Sequence, residues 1–162
     1  MRVTFPRLPD HERAWALVER DDGVVYRLYS GTAGPRLPHD IMHLVVEREL
    51  RISDGIWAGI AAGGPCQPPG QPPGQPPGQP PGQRAELLAD LVACAAALGT
   101  LTLEKIRRLT ADKLAALPSA ERPGAEVDPV LVAVAARALQ VEAARWARLR
   151  VGEELSYDWP GK

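Results

Sequence analysis

Arg13-Ala14-Trp15-Ala16-Leu17-Val18-Glu19-Arg20-Asp21-Asp22-Gly23-Val24-Val25-Tyr26-Arg27-Leu28-Tyr29-Ser30 is the stretch that decides the fold class. Two runs rich in Trp, Val and Tyr flank Asp-Asp-Gly, and Asp-Gly between such runs is a strong hairpin signal. Period-two alternation puts Trp15, Leu17 and Glu19 on one face of the first strand and Ala14, Ala16 and Val18 on the other. In the return strand Val24, Tyr26 and Leu28 share a face. Two strands alone are marginal in water, so a further strand or a helix is expected to cover them.

Upstream, residues 3–8 read as a short strand, which Pro6 and Pro9 restrict to an edge or a brief element. At the far end of the chain, Gly152 to Trp159 alternates Leu155, Tyr157 and Trp159 and reads as a strand pairing with the N-terminal hairpin. Between them the pattern is helical. Pro38 suits a first helical turn, where its missing N–H costs nothing. The helix it opens is expected to reach about Arg51 and to end at Ser53-Asp54-Gly55. Gly55 to Gly64, with Ile56, Trp57 and Ile60, reads as a brief helix or a buried loop against that helix. Further helices are expected over Arg84–Leu98, after a Thr102 cap as far as Leu117, and from Asp128-Pro129 to about Leu149. The last of these offers Leu131, Val134, Ala138, Trp146 and Leu149 as core candidates. Gln-Pro-Pro-Gly runs four times from Gln67 to Gly82. The period of four differs from the collagen triplet, and paired prolines forbid helix and central strand. Residues 65–83 are therefore read as a surface linker of polyproline character. The sum is an α+β chain: a small antiparallel sheet, made of the N-terminal hairpin and the C-terminal strand, packed on about four helices in one domain spanning 1–162.

Composition narrows the function classes. The chain has 162 residues, 45% of them hydrophobic, which fits one globular core. Nineteen basic residues balance 20 acidic ones for a net charge of -1, which argues against nucleic-acid binding by phosphate neutralisation. The arginines from Arg137 to Arg150 are diluted by Glu142 and read as a solvated helix face. The two cysteines, Cys66 and Cys94, are too few for a disulfide scaffold and read as inert thiols. No basic segment followed by an apolar run opens the chain, and the longest uncharged run, Leu91 to Leu103, is too short to span a bilayer. A cytoplasmic protein without a membrane partner is expected.

Chemistry concentrates in Leu37-Pro38-His39-Asp40-Ile41-Met42-His43-Leu44-Val45-Val46-Glu47. His39 and His43 are two of the three histidines in the chain, His11 being the other. Positions i and i+4 share a helix face, so the two imidazoles can take one metal ion. Zinc is the expected cofactor; other divalent metals accept the same donors. Glu47, one turn further on, is the expected third ligand, or else a carboxylate that holds His43. His39 and Glu47 lie about 12 Å apart along a straight helix axis, which strains direct ligation by all three. Asp54, Glu86, Asp90 and His11 are further candidates. Asp40 follows the first histidine and is assigned as general base or orienter. The reaction this suggests is hydrolysis by metal-activated water on a small molecule or a peptide. The alternative is a non-enzymatic interaction module in which the two histidines are ordinary polar residues of a helix.

His39-Asp40-Ile41-Met42-His43 resembles the His-Glu-x-x-His helix of zinc metallopeptidases, with Asp in place of Glu. It also resembles the His-Asp-x-x-His pattern of a family of ubiquinone-biosynthesis proteins, in which a glutamate twelve residues after the second histidine completes a zinc site; Gly55 stands at that position here, beside Asp54. The longer Leu-Pro-His-Asp-x-x-His-x-x-Val-Glu stretch is similar to a group of uncharacterised bacterial proteins, over roughly residues 13–64. The first two resemblances imply a zinc site on the helix; the third carries no assigned reaction, and the C-terminal helices lie outside these patterns.

Overall fold

The computed structural model describes residues 1–64, 83–99, 102–115 and 127–160. The elements are β1 (Arg2–Pro6), β2 (Arg13–Glu19), β3 (Val25–Thr32), α1 (His39–Glu49), α2 (Ile56–Ala61), α3 (Gln83–Ala97), α4 (Leu103–Ala115), α5 (Pro129–Trp146) and β4 (Glu154–Asp158). The strands form one antiparallel sheet in the order β3-β2-β1-β4. The architecture is α+β, with the N-terminal hairpin and the C-terminal strand in a single sheet as expected. The proline repeat of 67–82, Cys66 and the expected helix end at Leu117 lie outside the described residues. Gln83, counted with the linker in the sequence, is the first residue of α3.

The hairpin turn is closed by Gly23 at φ +83°, a left-handed conformation that an L side chain disfavours. Its amide donates to the Arg20 carbonyl at 3.0 Å, and Arg20 N donates to the Val24 carbonyl at 2.9 Å. The Arg20 guanidinium pairs with Asp22 and secures the turn. Across the hairpin Ala16 faces Leu28 and Val18 faces Tyr26, so one side of the ladder is apolar. Trp15 and Tyr29 pair on the opposite side, where Arg27 lies over the Trp15 ring and Arg13 over the Tyr29 ring.

The strand at residues 2–6 is brief, as its prolines require, yet it is central: β1 pairs with β2 on one side and β4 on the other. An edge position was one of the two expectations, and the structure replaces it. Pro6 is the last residue of β1, so its missing N–H falls where the ladder is ending. Val3, Phe5, Leu155 and Tyr157 then join Ala16, Val18 and Leu28 in the core.

The helices stack on this apolar face. α1 packs against α2, α3 and α5; α3 and α4 both pack on α5. Ile41, Leu44, Val45 and Val46 are fully buried and anchor α1. Asp128 accepts a bond from Val130 N at 2.8 Å and caps α5, and Thr102 accepts from Lys105 N at 3.3 Å ahead of α4. In α5 the expected core residues Leu131 and Val134 are 40% and 48% exposed. The buried side is Val132, Ala135, Ala136, Leu139 and Trp146. Leu131-Val132-Ala133-Val134-Ala135-Ala136 is apolar all round, so periodicity does not set the rotation of the helix, and the small alanines are what α1 and α3 accept. Among the described residues no helix is long and apolar enough to cross a membrane.

One polar link fastens the sheet to α5. Tyr157 of β4 donates to Glu142 at 2.7 Å, and Arg145 reaches both oxygens of that carboxylate at 3.0 Å. Burial, together with the adjacent carboxylate, pushes the Tyr157 phenol well above its ordinary range. The raised value means that the stability it contributes is present below about pH 10 and is lost as the pH climbs beyond. Tyr157→Phe is expected to cost about 1–3 kcal/mol in urea unfolding, the worth of a bond to a charged group. It is also expected to remove from the 295 nm absorbance titration a phenol that ionises only as the chain unfolds. A variant that keeps that late step would overturn the assignment.

Candidate metal centre

α1 begins at His39 directly after Pro38, so both histidines fall in its first two turns, with Asp40 between them where the helix dipole favours an acid. The i, i+4 spacing stacks the rings, with centroids 4.4 Å apart, and brings Nε2 of His43 to 2.9 Å from Nε2 of His39. Glu86, in the first turn of α3, completes a triangle. Its Oε2 is 3.3 Å from His43 Nε2 and 3.8 Å from His39 Nε2.

These distances suit an ion. Ligand bonds of about 2.0–2.2 Å at a tetrahedral angle place neighbouring ligand atoms roughly 3.3–3.6 Å apart. The three observed edges, 2.9, 3.3 and 3.8 Å, bracket that value. His39, His43 and Glu86 thus form a group that could hold a metal ion. His43 is 7% exposed at its side chain, while His39 and Glu86 are each 64% exposed. Burial holds the His43 imidazole below its ordinary range, against the raising pull of Glu86 and Asp40. A neutral ring is what ligation needs.

The other expected site residues are arranged differently. Glu47 lies beyond the opposite edge of the His43 ring, with Oε1 3.9 Å from Nδ1. Its carboxylate is fully buried and caps α2: Oε1 accepts from Ile56 N at 3.0 Å, and Oε2 accepts from Trp57 N at 2.9 Å and Ala58 N at 3.3 Å. Burial raises the carboxyl to about 7, opposed by those three amides. Asp40 is half-buried, its charge acts on His43, and its carbonyl accepts from Trp57 Nε1 at 3.0 Å. Asp90 pairs with Lys113 and accepts from the Cys94 thiol at 3.8 Å. Asp54 acts on Glu47 through its charge, and His11 sits in a turn at φ +73°. The structure brings only Glu86, of the further candidates, to the histidine pair. Glu86 and Asp90 are four residues apart near the start of α3, but no sequence signal shows that this turn faces α1.

Gly55 stands where the ubiquinone-biosynthesis pattern carries its glutamate, and the structure shows what fills that space. A Cβ at Gly55 would fall 2.1 Å from Glu47 Cδ and 2.2 Å from Oε2. The carboxyl of Glu47 leaves no room for a side chain there. Scans against protein-family models and searches of curated proteins and of solved structures found no match to this chain.

Gly55 adopts φ -84°, which alanine tolerates, so Gly55→Ala tests space rather than backbone conformation. Overpacking against a carboxylate held by three amides is expected to cost roughly 3 kcal/mol in urea unfolding. A loss under about 0.5 kcal/mol, the scale of a neutral surface change, would show that the carboxylate is free to move aside.

Proposed function

We propose that this chain binds a divalent metal ion, zinc being the best match, through Nε2 of His39, Nε2 of His43 and the carboxylate of Glu86. The observation that supports it is the spacing of the three ligand atoms around the tetrahedral edge length. Two imidazoles and a carboxylate are also the donor set of zinc sites that keep a position for water. The resemblance of His39-Asp40-Ile41-Met42-His43 to a zinc-binding helix points the same way. In this reading Glu86 takes the third position, and Glu47 stays behind the His43 ring.

Bound zinc supplies acidification of a coordinated water and polarisation of a substrate oxygen. The exposure of His39 and Glu86 favours hydrolysis over a closed structural site, because solvent and a small molecule or peptide reach two of the three ligands. His43, neutral and buried, anchors the ion. Asp40, whose charge reaches His43, serves as the base of this reaction.

Metal content of untagged protein by mass spectrometry tests the reading. Close to one zinc per chain is expected, lost in His39→Ala/His43→Ala. Glu86→Ala is expected to weaken zinc by more than about 100-fold, beyond what changes to groups behind the ligands cost. At 100 times its dissociation constant, free zinc should stabilise the wild type by about 2.7 kcal/mol. No metal in the wild type after zinc addition and dialysis would sink the reading. The interaction module would then be the working account, with the exposed Val130, Leu131 and Val134 of α5 as its first surface to probe. For the hydrolytic step, zinc-loaded protein is expected to turn over 4-nitrophenyl acetate, about 100-fold slower in Asp40→Asn. Equal rates with and without zinc would remove the enzyme and leave the metal.

A further inference from the structure

We propose that the outward face of α5 is a docking surface for an acidic amphipathic helix of another protein, with aliphatic side chains facing Val130, Val134 and Val141 and a carboxylate facing Arg137. The inference is independent of the metal reading, whose ligands lie on α1 and α3.

The core takes only one arc of α5, Val132, Ala135, Ala136, Leu139 and Trp146. On the outward arc Val130 and Val134 are 48% exposed and Val141 is 44% exposed. Single exposed valines are ordinary on a protein surface, but these are aligned. Val130, Val134, Arg137, Val141, Ala144 and Arg148 are all exposed and follow one another at alternating intervals of four and three. That repeat keeps one seam turned toward a facing helix. From Val130 to Val141 the seam is about 16 Å long, three helical turns.

The charge of the seam selects its occupant. Glu142, the one acid of α5, is buried and held by Tyr157 and Arg145, so the outward face carries no carboxylate. Arg137 reaches only Gln140, at 3.4 Å, and the Arg148 guanidinium has no partner among the described residues. A helix that covers the valines also covers Arg137, and burying a guanidinium without a counter-charge is costly. A carboxylate opposite it removes that cost and fixes the register, as a polar residue does within a coiled-coil seam. A second copy of α5 lacks such a group. Parallel pairing sets Arg137 against its own copy, and antiparallel pairing over the full seam sets it against a valine. A membrane surface fits no better. Helices that lie in a bilayer interface hold their basic and apolar residues on opposite faces, whereas here the arginines stand in line with the valines.

The test uses the full chain and a synthetic helical peptide of about 20 residues, roughly six turns. The peptide has leucines along its seam and glutamates at the two seam positions that face Arg137 and Arg148. Its control carries lysines in place of those glutamates. Titration calorimetry and 1H–15N spectra are the readouts. The glutamate peptide is expected to bind at least about 30-fold more tightly than the lysine peptide, and to move the amide signals of α5. Arg137→Glu, a change at an exposed position, is expected to reverse that preference. Equal affinities for the wild type overturn the inference, as does a failure of both peptides to bind or binding that moves signals only outside α5. None of these three outcomes depends on a variant that folds. Signals of α5 that shift with the concentration of wild type alone would assign the seam to a second copy. Co-sedimentation with phosphatidylserine vesicles, lost in Arg137→Glu, would assign it to a membrane. Either assignment overturns the acidic helix as the occupant.

Discussion

The carboxylate of Glu47 lies beneath the first amides of α2, and the placement of α1 depends on it. A buried carboxyl with no partners costs several kcal/mol, so it persists only where donors converge on it. Here residues 56–58 supply three donors, and Gly55 lets the backbone come close enough to do so. The consequences spread from that point. Trp57, the middle one of those donors, is completely buried, bonds back to the Asp40 carbonyl and meets Phe5 of β1 edge-on at 5.8 Å. A turn of six residues therefore grips both ends of the histidine helix and ties it to the central strand of the sheet.

Much of this fold can be read from residue pattern because local chemistry and tertiary packing agree. Asp22-Gly23 makes the turn, Asp128-Pro129 opens α5, and the alternation of Leu155 and Tyr157 matches the buried face of β4. Where they disagree, the reason is specific. β1 is central despite two nearby prolines because Pro6 falls at its end. α5 turns Val132 and Leu139 inward because a segment apolar on every side offers no preferred stripe, and neighbouring helices decide the rotation.

The site divides in the same way. His39 and His43 are legible from spacing alone, since one turn of helix is enough to bring their rings together. Glu86 is not, because its approach depends on how α3 packs across α1, a contact between segments on either side of the Gln-Pro-Pro-Gly repeat. Glu47 is visible as an acid on the histidine face. What the helix spacing hides is that its oxygens turn to α2, because unpaired amides at a helix start attract a carboxylate more strongly than does a neutral ring one turn away.

The unequal exposure of His39, His43 and Glu86 bears on how an ion held between them would exchange. His43 is enclosed, but His39 and Glu86 lie at the surface on different helices. An incoming ion can meet Glu86 and His39 first and reach His43 last, and a departing one can leave in reverse without any helix unfolding. Loading and loss would then need only the side-chain motions of two exposed residues and no global opening, the rate of loss being set by the ligand bonds that have to break. A centre of that kind would exchange its ion with the folded chain intact instead of trapping one acquired during folding.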